Sequence, residues 1–265
     1  MKKTLLLCGL AFCSLTTLAQ QDDGPGSLIT DRPDATESPQ TVGSGFLQFE
    51  TGAFYTKDED GALTTKATTF NTMLIRYGIF DNFELRLGWN FTETQFELNG
   101  MEIPDVLSGL DPLLLGAKIA ITEENGLIPT IGLIGHVFLP FTAGNDYRPE
   151  TTGVDFRFSF AHTLSENSSL SYNLGAQWGD DSSEAAYIYT LSYGYSFTDK
   201  LGAYIELYGD LPEDSGPNHL WDAGVTYLIN DNFQLDATVG SGIRSDQQLL
   251  LSAGFSYRID TRKNK

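Results

Sequence analysis

The chain has 265 residues, with 35 Asp and Glu against 16 Lys and Arg, for a formal net charge of −19. Such acidity excludes a nucleic-acid binder that works through a basic face, and a hydrophobic share of 41% excludes a disordered chain. With 12% aromatic residues and 27 glycines, none of them strong helix formers, the composition also argues against a helical bundle.

Residues 1–19 read as an export signal. Lys2 and Lys3 give a positive start, residues 5–15 a short apolar stretch, and Thr17-Leu18-Ala19 a small-residue cleavage site. Cys8 and Cys13 both fall inside it, and bulky Leu7 and Phe12 before them disfavour lipid attachment. The mature chain is then free of cysteine, so backbone pairing and packing alone must hold it. No later window carries an apolar run long enough for a spanning helix.

Residues 20–44 are polar and carry Pro25, Pro33 and Pro39. Two readings fit: a disordered periplasmic leader, or an ordered plug in which Asp31, Arg32, Asp34 and Glu37 pair with a charged wall.

From residue 45 to 260, period-2 alternation dominates. Phe83, Leu85, Leu87, Trp89 and Phe91 share one face, while Glu84, Arg86, Gly88, Asn90 and Thr92 share the other, as only a strand separates them. Short turns rich in Asp, Asn and Gly fall at 80–82, 123–126, 165–167, 198–200 and 230–232. Longer polar connections fall near 58–64, 97–110, 141–151, 180–185, 213–218 and 244–247. The cuts predict twelve strands: 45–57, 65–79, 83–96, 112–122, 127–140, 152–164, 168–179, 186–197, 201–212, 219–229, 233–243 and 248–260. A polar tail, 261–265, follows.

An even strand count, short turns alternating with longer loops, and one solid apolar face per strand are the marks of an all-β, transmembrane, antiparallel up-and-down β-barrel. Each strand is long enough to cross a bilayer at a tilt. The competing fold is a soluble β-sandwich or lipocalin-like barrel. Two aromatic belts oppose that fold. Tyr77, Phe83, Tyr195, Phe197, Tyr227, Phe233 and Tyr257 lie near the short turns; Tyr55, Phe91, Trp178, Tyr187 and Trp221 lie toward the long loops.

Two segments resemble a known family. One is Ile29-Thr30-Asp31-Arg32-Pro33-Asp34-Ala35-Thr36-Glu37-Ser38-Pro39 with Gly45-Phe46-Leu47-Gln48-Phe49-Glu50-Thr51-Gly52; the other is Ile75-Arg76-Tyr77-Gly78-Ile79-Phe80-Asp81-Asn82-Phe83-Glu84-Leu85-Arg86. Together they resemble the outer-membrane transporter-like family labelled "putative meta-pathway of phenol degradation". The resemblance runs from about Ile29 to the end of the chain. It implies an outer-membrane barrel that passes small molecules, hydrophobic or aromatic ones among them. The chain departs from the usual barrel ending, since Tyr257-Arg258-Ile259-Asp260 is followed by polar residues rather than closing on an aromatic.

If apolar residues face lipid, the opposite face lines the lumen: Glu50, Arg76, Glu84, Arg86, Lys118, Asp155, Arg157, Glu206, Asp222, Asp236 and Arg258. Over the last two and first four strands the signs largely alternate, from Asp236 through Arg258, Glu50, Arg76, Glu84 and Arg86 to Lys118. One reading is a ladder of ion pairs between neighbouring strands that stitches the barrel seam; the other is a selectivity ring. The ladder is the simpler, because paired charges leave little field for steering.

Catalysis has little to stand on. The histidines are His136, His162 and His219, and two residues beyond each lies Phe138, Leu164 or Trp221 rather than a serine. Asp58-Glu59-Asp60-Gly61 lacks calcium-loop spacing. Acidic loop tips at Asp180-Asp181 and Glu213-Asp214 are solvated charge, with weak divalent bridging to lipopolysaccharide as a second reading. No cofactor, metal or nucleic acid is expected. The expected partners are outer-membrane lipid and lipopolysaccharide, a small-molecule solute and the barrel-assembly machinery of a Gram-negative cell. The expected function is passive passage of small solutes; the alternatives are a barrel enzyme acting on lipid, or a structural barrel with acidic surface loops.

Overall fold

The computed structural model describes residues 26–179 and 183–262. The export signal, residues 20–25, the acidic tip at Asp180-Asp181 and the last three residues of the tail lie outside these. Thirteen strands follow in chain order: β1 (Phe46–Asp60), β2 (Leu63–Phe80), β3 (Phe83–Leu98), β4 (Met101–Leu110), β5 (Leu113–Thr122), β6 (Thr130–Leu139), β7 (Gly153–Ser165), β8 (Ser168–Trp178), β9 (Ala186–Ser196), β10 (Leu201–Pro212), β11 (Asn218–Asn230), β12 (Phe233–Arg244) and β13 (Gln247–Asp260). Every pairing is antiparallel, and β13 returns to β1 from Phe46↔Asp260 to Asp58↔Gln247. The sheet therefore closes on itself, as a sheet in hydrocarbon must to pair its edge amides.

The thirteen strands make twelve walls. β3 pairs with β5 over Phe83 to Gly88 and with β4 over Phe91 to Leu98. β4 and β5 are thus two halves of one wall, broken at Asp111-Pro112. Pro112 has no N–H for the ladder, while Asp111 N still donates to Asn90 O at 3.0 Å. The predicted loops at 58–64 and 97–110 are corrected: both are tall hairpins. Asn99 (φ 52°) and Gly100 (φ 77°) form the tight turn between β3 and β4, the left-handed pair that a two-residue hairpin requires. At the other rim, β6 begins at Thr130, three residues later than predicted, after an isolated bridge between Asn125 and Ile128.

The barrel is inverted relative to a water-soluble domain. Leu115, Ile205 and Val225 are 45%, 56% and 50% exposed, whereas Arg76, Glu84 and Lys118 are 0% exposed. Lipid is the solvent that makes such an arrangement favourable, since apolar surface turned outward then costs nothing. The aromatic belts keep their outward position: Tyr77, Tyr195, Phe197, Tyr227 and Tyr257 are exposed around the short-turn rim, and Phe91 and Tyr187 around the other. Replacing Ile205, outward and mid-wall, by Arg should lower unfolding stability in lipid vesicles by about 2–4 kcal/mol. A denaturant titration followed by heat-modifiable gel migration reads that loss; no change would mean that this face does not meet acyl chains.

Candidate functional site

The lumen is filled by the chain's own leading segment. From Gly26 to Gly45 it forms no helix or strand of its own, yet Leu28, Asp31, Thr36 and Val42 are buried. A backbone of this kind inside a barrel must find partners for each amide. The wall supplies them. Asp31 N donates to Glu50 Oε2 (2.9 Å), Ala35 N to Glu206 Oε2 (2.7 Å), Glu37 N to Asn173 Oδ1 (2.8 Å) and Val42 N to Glu84 Oε2 (2.9 Å). Carbonyls are served likewise: Gln48 Nε2 donates to Ile29 O (2.8 Å), Arg76 Nη2 to Gln40 O (3.0 Å) and Asn173 Nδ2 to Glu37 O (2.9 Å).

Charges knit the segment to the wall. The Asp31 carboxylate meets Lys118 at 2.7 Å, Arg86 at 2.9 Å and Arg76 at 3.3 Å. Burial alone would raise its pKa, but Arg76, Lys118 and Arg86 together hold it well below the usual carboxylate range. Arg32 reaches the other way. Its guanidinium binds Asp236 at 2.9 Å, Ser252 at 3.1 Å and Thr72 at 3.2 Å, and sits 5.3 Å from the Phe54 ring centre. It rests on bare backbone at Gly52 and Gly254, where a Cβ on either would overlap it. Pro39 packs onto Gly132 in the same manner. Glycine here serves close approach rather than flexibility.

Glu37 lies 2.7 Å from Arg86 and 3.7 Å from Arg157. Burial raises its pKa, but Arg86 first and then Arg157 outweigh this and lower it to about 2. Asp34 is placed differently. It accepts from Ser192 Oγ at 2.9 Å, and burial followed by repulsion from Glu206 pushes its pKa well above the ordinary range. Thr36 completes this corner by donating to Glu206 Oε1, with Thr190 Oγ1 at 2.6 Å.

The wall charges predicted from alternation do face the lumen, but their partners differ from the expected ladder. Arg76 spans two neighbouring strands at once, at 2.8 Å to both Glu50 on β1 and Glu84 on β3. Lys118 stands opposite Glu84 in register, yet its ion pair is with Asp31. Asp236 pairs with Arg32 rather than Arg258. Arg258 binds Asn232 Oδ1 at 2.9 Å and Gly26 O at 2.6 Å, so the β13–β1 seam carries no charge ladder. Asp155 takes His136 Nδ1 at 2.8 Å and Arg157 at 3.2 Å. Neutral lumen residues that sequence reasoning passed over, namely Gln48, Asn173, Ser192 and Ser252, share the charged residues' phase of the alternation and were legible by that phase.

Two cavities flank residues 30–37. One of about 560 Å³ opens toward the long-loop rim and touches Asn90, Asp111, Leu114, Phe138, Arg86 and Arg157. The other, about 500 Å³, opens toward the short-turn rim and touches Ser165, Asn167, Ser196 and Tyr204. Arg32 and Asp34 border both.

The sequence profile described as "Putative MetA-pathway of phenol degradation" matches residues 30–259, which spans both the segment and the barrel. The chain belongs to this family. No curated protein matches it. Among solved structures, an outer-membrane channel from Pseudomonas putida F1 is similar over 87% of this chain and 100% of its own, with TM-score 0.63 at 13% identity. The KdgM porin in complex with disordered oligogalacturonate covers 80% of this chain and 98% of its own, with TM-score 0.50 at 10% identity. The translocator domain of autotransporter NalP from Neisseria meningitidis covers 82% and 89%, with TM-score 0.51 at 11% identity. At such identities the likeness is one of fold: an outer-membrane β-barrel.

The histidines have structural partners. His136 is held by Asp155, His219 Nδ1 lies 2.7 Å from the Tyr189 hydroxyl, and His162 stacks on Tyr172 at 6.0 Å. Among the described residues no group of acidic, His or Cys side chains is arranged to hold a metal.

Two outcomes follow from these contacts. Arg76→Met leaves Glu50 and Glu84 buried without their cation, so it should cost about 3–5 kcal/mol of barrel stability. The same change at Lys57, in an exposed pair with Glu59, should leave the heat-modifiable transition in place. Second, a raised carboxyl pKa in the docked state means that docking binds a proton. The Asp34 contribution is therefore full at acidic pH and is lost as pH rises from the free-carboxyl range through the raised value. Protease protection of residues 26–42 should fall as pH rises above the free-carboxyl range, and Asp34→Asn should flatten that profile; a flat wild-type profile would remove Asp34 as the titrating group.

Proposed function

We propose that the protein is a passive channel of the Gram-negative outer membrane, that small solutes cross its lumen, and that residues 26–44 are a plug whose undocking opens the path. The observation that carries this reading is the pair of cavities, one toward each mouth, with Arg32 and Asp34 of the leading segment bordering both. Twelve walls enclose a bore between the side-chain-filled interior of eight strands and the aqueous channel of sixteen or more. A single strand of polypeptide is therefore enough to block it. The plug is held by polar contacts alone over much of its length, and such contacts exchange readily with water once the segment moves.

In this reading the export signal delivers the chain, the barrel-assembly machinery inserts it, and the aromatic belts meet lipid and lipopolysaccharide. Both ends of the barrel strand order lie on the short-turn rim, which faces the periplasm as in other even-numbered barrels. Apolar Leu74, Leu114 and Phe138 beside Arg86 and Arg157 suit solutes with a greasy body and a polar end. Passage is favoured over lipid chemistry because each histidine is engaged as described and no serine or threonine hydroxyl is hydrogen-bonded to one among the described residues.

Planar-bilayer recording tests the proposal. Deleting residues 26–42 should raise single-channel conductance several-fold, and Arg32→Ala, which empties the socket at Gly52 and Gly254, should raise open probability with the barrel still heat-modifiable. Equal conductance in the deletion and the wild type would remove the plug.

A further inference from the structure

Glu37 sits in a socket that it fills poorly. Only one of its oxygens comes close to a guanidinium, at 2.7 Å from Arg86 Nη2, while Arg157 Nη1 stays 3.7 Å from the other. That nearer oxygen, Oε2, meets Arg86 Nη2 out of line for a hydrogen bond, and the buried Nε–H groups of Arg86 and Arg157 have no acceptor. A guanidinium grips a carboxylate best when two parallel N–H donors face its two oxygens. Asn173 clamps the Glu37 backbone at both N and O, which limits how far its tethered carboxylate can travel toward either fork. Two Arg side chains thus share one carboxylate and keep unused donors.

These groups stand on the wall of the 560 Å³ cavity, beside Leu74, Pro112, Leu114 and Phe138. Each guanidinium has a further carboxylate neighbour that it shares with other basic groups. Arg86 keeps Asp31, and Arg157 keeps Asp155, which also serves His136. We propose that Arg86 and Arg157 form a binding site for small organic carboxylates with an apolar body, and that Glu37 is the resident carboxylate such a solute displaces. The inference rests on the channel reading for the solute's route through the cavity, and it names the class of solute. A free carboxylate is not tethered, so it can align with a guanidinium fork while its body covers Leu114 and Phe138. Displacing Glu37 also removes one of the plug's charged anchors.

The test uses the purified full chain in detergent. Benzoate and butyrate are titrated by calorimetry against their uncharged counterparts, benzamide and butyramide. The acids should bind and the amides should not. Glu37→Gln should tighten binding of both acids about tenfold, because the internal competitor is gone. Arg157→Gln in that background should abolish it. Arg157→Lys, which keeps the charge and loses the fork, is the companion variant should the Gln form fail to fold; it should weaken binding at least several-fold. Equal binding of acid and amide overturns the site, as does a Glu37→Gln protein with unchanged affinity or an Arg157→Lys protein with full affinity. Bilayer recording separates the two readings. Carboxylate binding without flux through the plug-deleted barrel defeats the channel and leaves the site, whereas flux without carboxylate preference defeats the site and leaves the channel.

Discussion

Everything inside this barrel depends on one requirement: an irregular backbone enclosed by a sheet must have its amides answered without a ladder of its own. The strands can answer little of it, because most of their own N–H and C=O groups are used in the ladders. Side chains must, and acceptors for N–H groups are what carboxylates provide best. Glu50, Glu84 and Glu206 each take a backbone amide from the segment. A buried carboxylate in turn needs a cation or several donors, and Arg76 supplies Glu50 and Glu84 together. Around Arg76 the lumen charges thus form one connected set, in which Glu50, Glu84 and Asp31 share its guanidinium and Asp31 in turn joins Arg86 and Lys118.

The architecture was legible in the sequence because the period-2 alternation is nearly unbroken and its two faces differ so sharply. The same phase that put Leu85 and Leu87 outside put Glu84 and Arg86 inside. Errors fell where a local signal outranked composition. Asn99-Gly100 is a strong hairpin turn, yet the polar surroundings at 97–110 read as loop; the tall hairpin there is held by the backbone ladder from Phe91↔Leu110 to Leu98↔Met101. Asp111-Pro112 interrupts the ladder without ending the wall, which no count of alternating residues shows.

The charge partners were not legible, and the reason is physical. Alternation fixes which face a residue takes, and turn spacing fixes its depth roughly. Neither says what else occupies the lumen. Lys118 opposite Glu84, and Asp236 on the strand beside Arg258, look like cross-strand pairs until a third element brings Asp31 and Arg32 between them. The glycines at 52, 132 and 254 held the missing information, since lumen-facing positions without side chains leave room for something else. Glycine in a strand weakens it, so three at positions facing the lumen needed an explanation beyond curvature.

The choice between a stitching ladder and a selectivity ring is also recast by the inserted segment. With Asp31 and Glu37 in place, Arg86, Lys118 and Arg157 are compensated, and the wall presents little net field. Take the segment away and the balance shifts: the compensating carboxylates leave with it, while the cations stay on β3, β5 and β7. The acidic chain would then carry a locally positive constriction, exposed only when the path is open. Under the proposed undocking, cohesion and discrimination need not fall to different residues, because the same side chains would hold the docked segment and, once released, meet a solute.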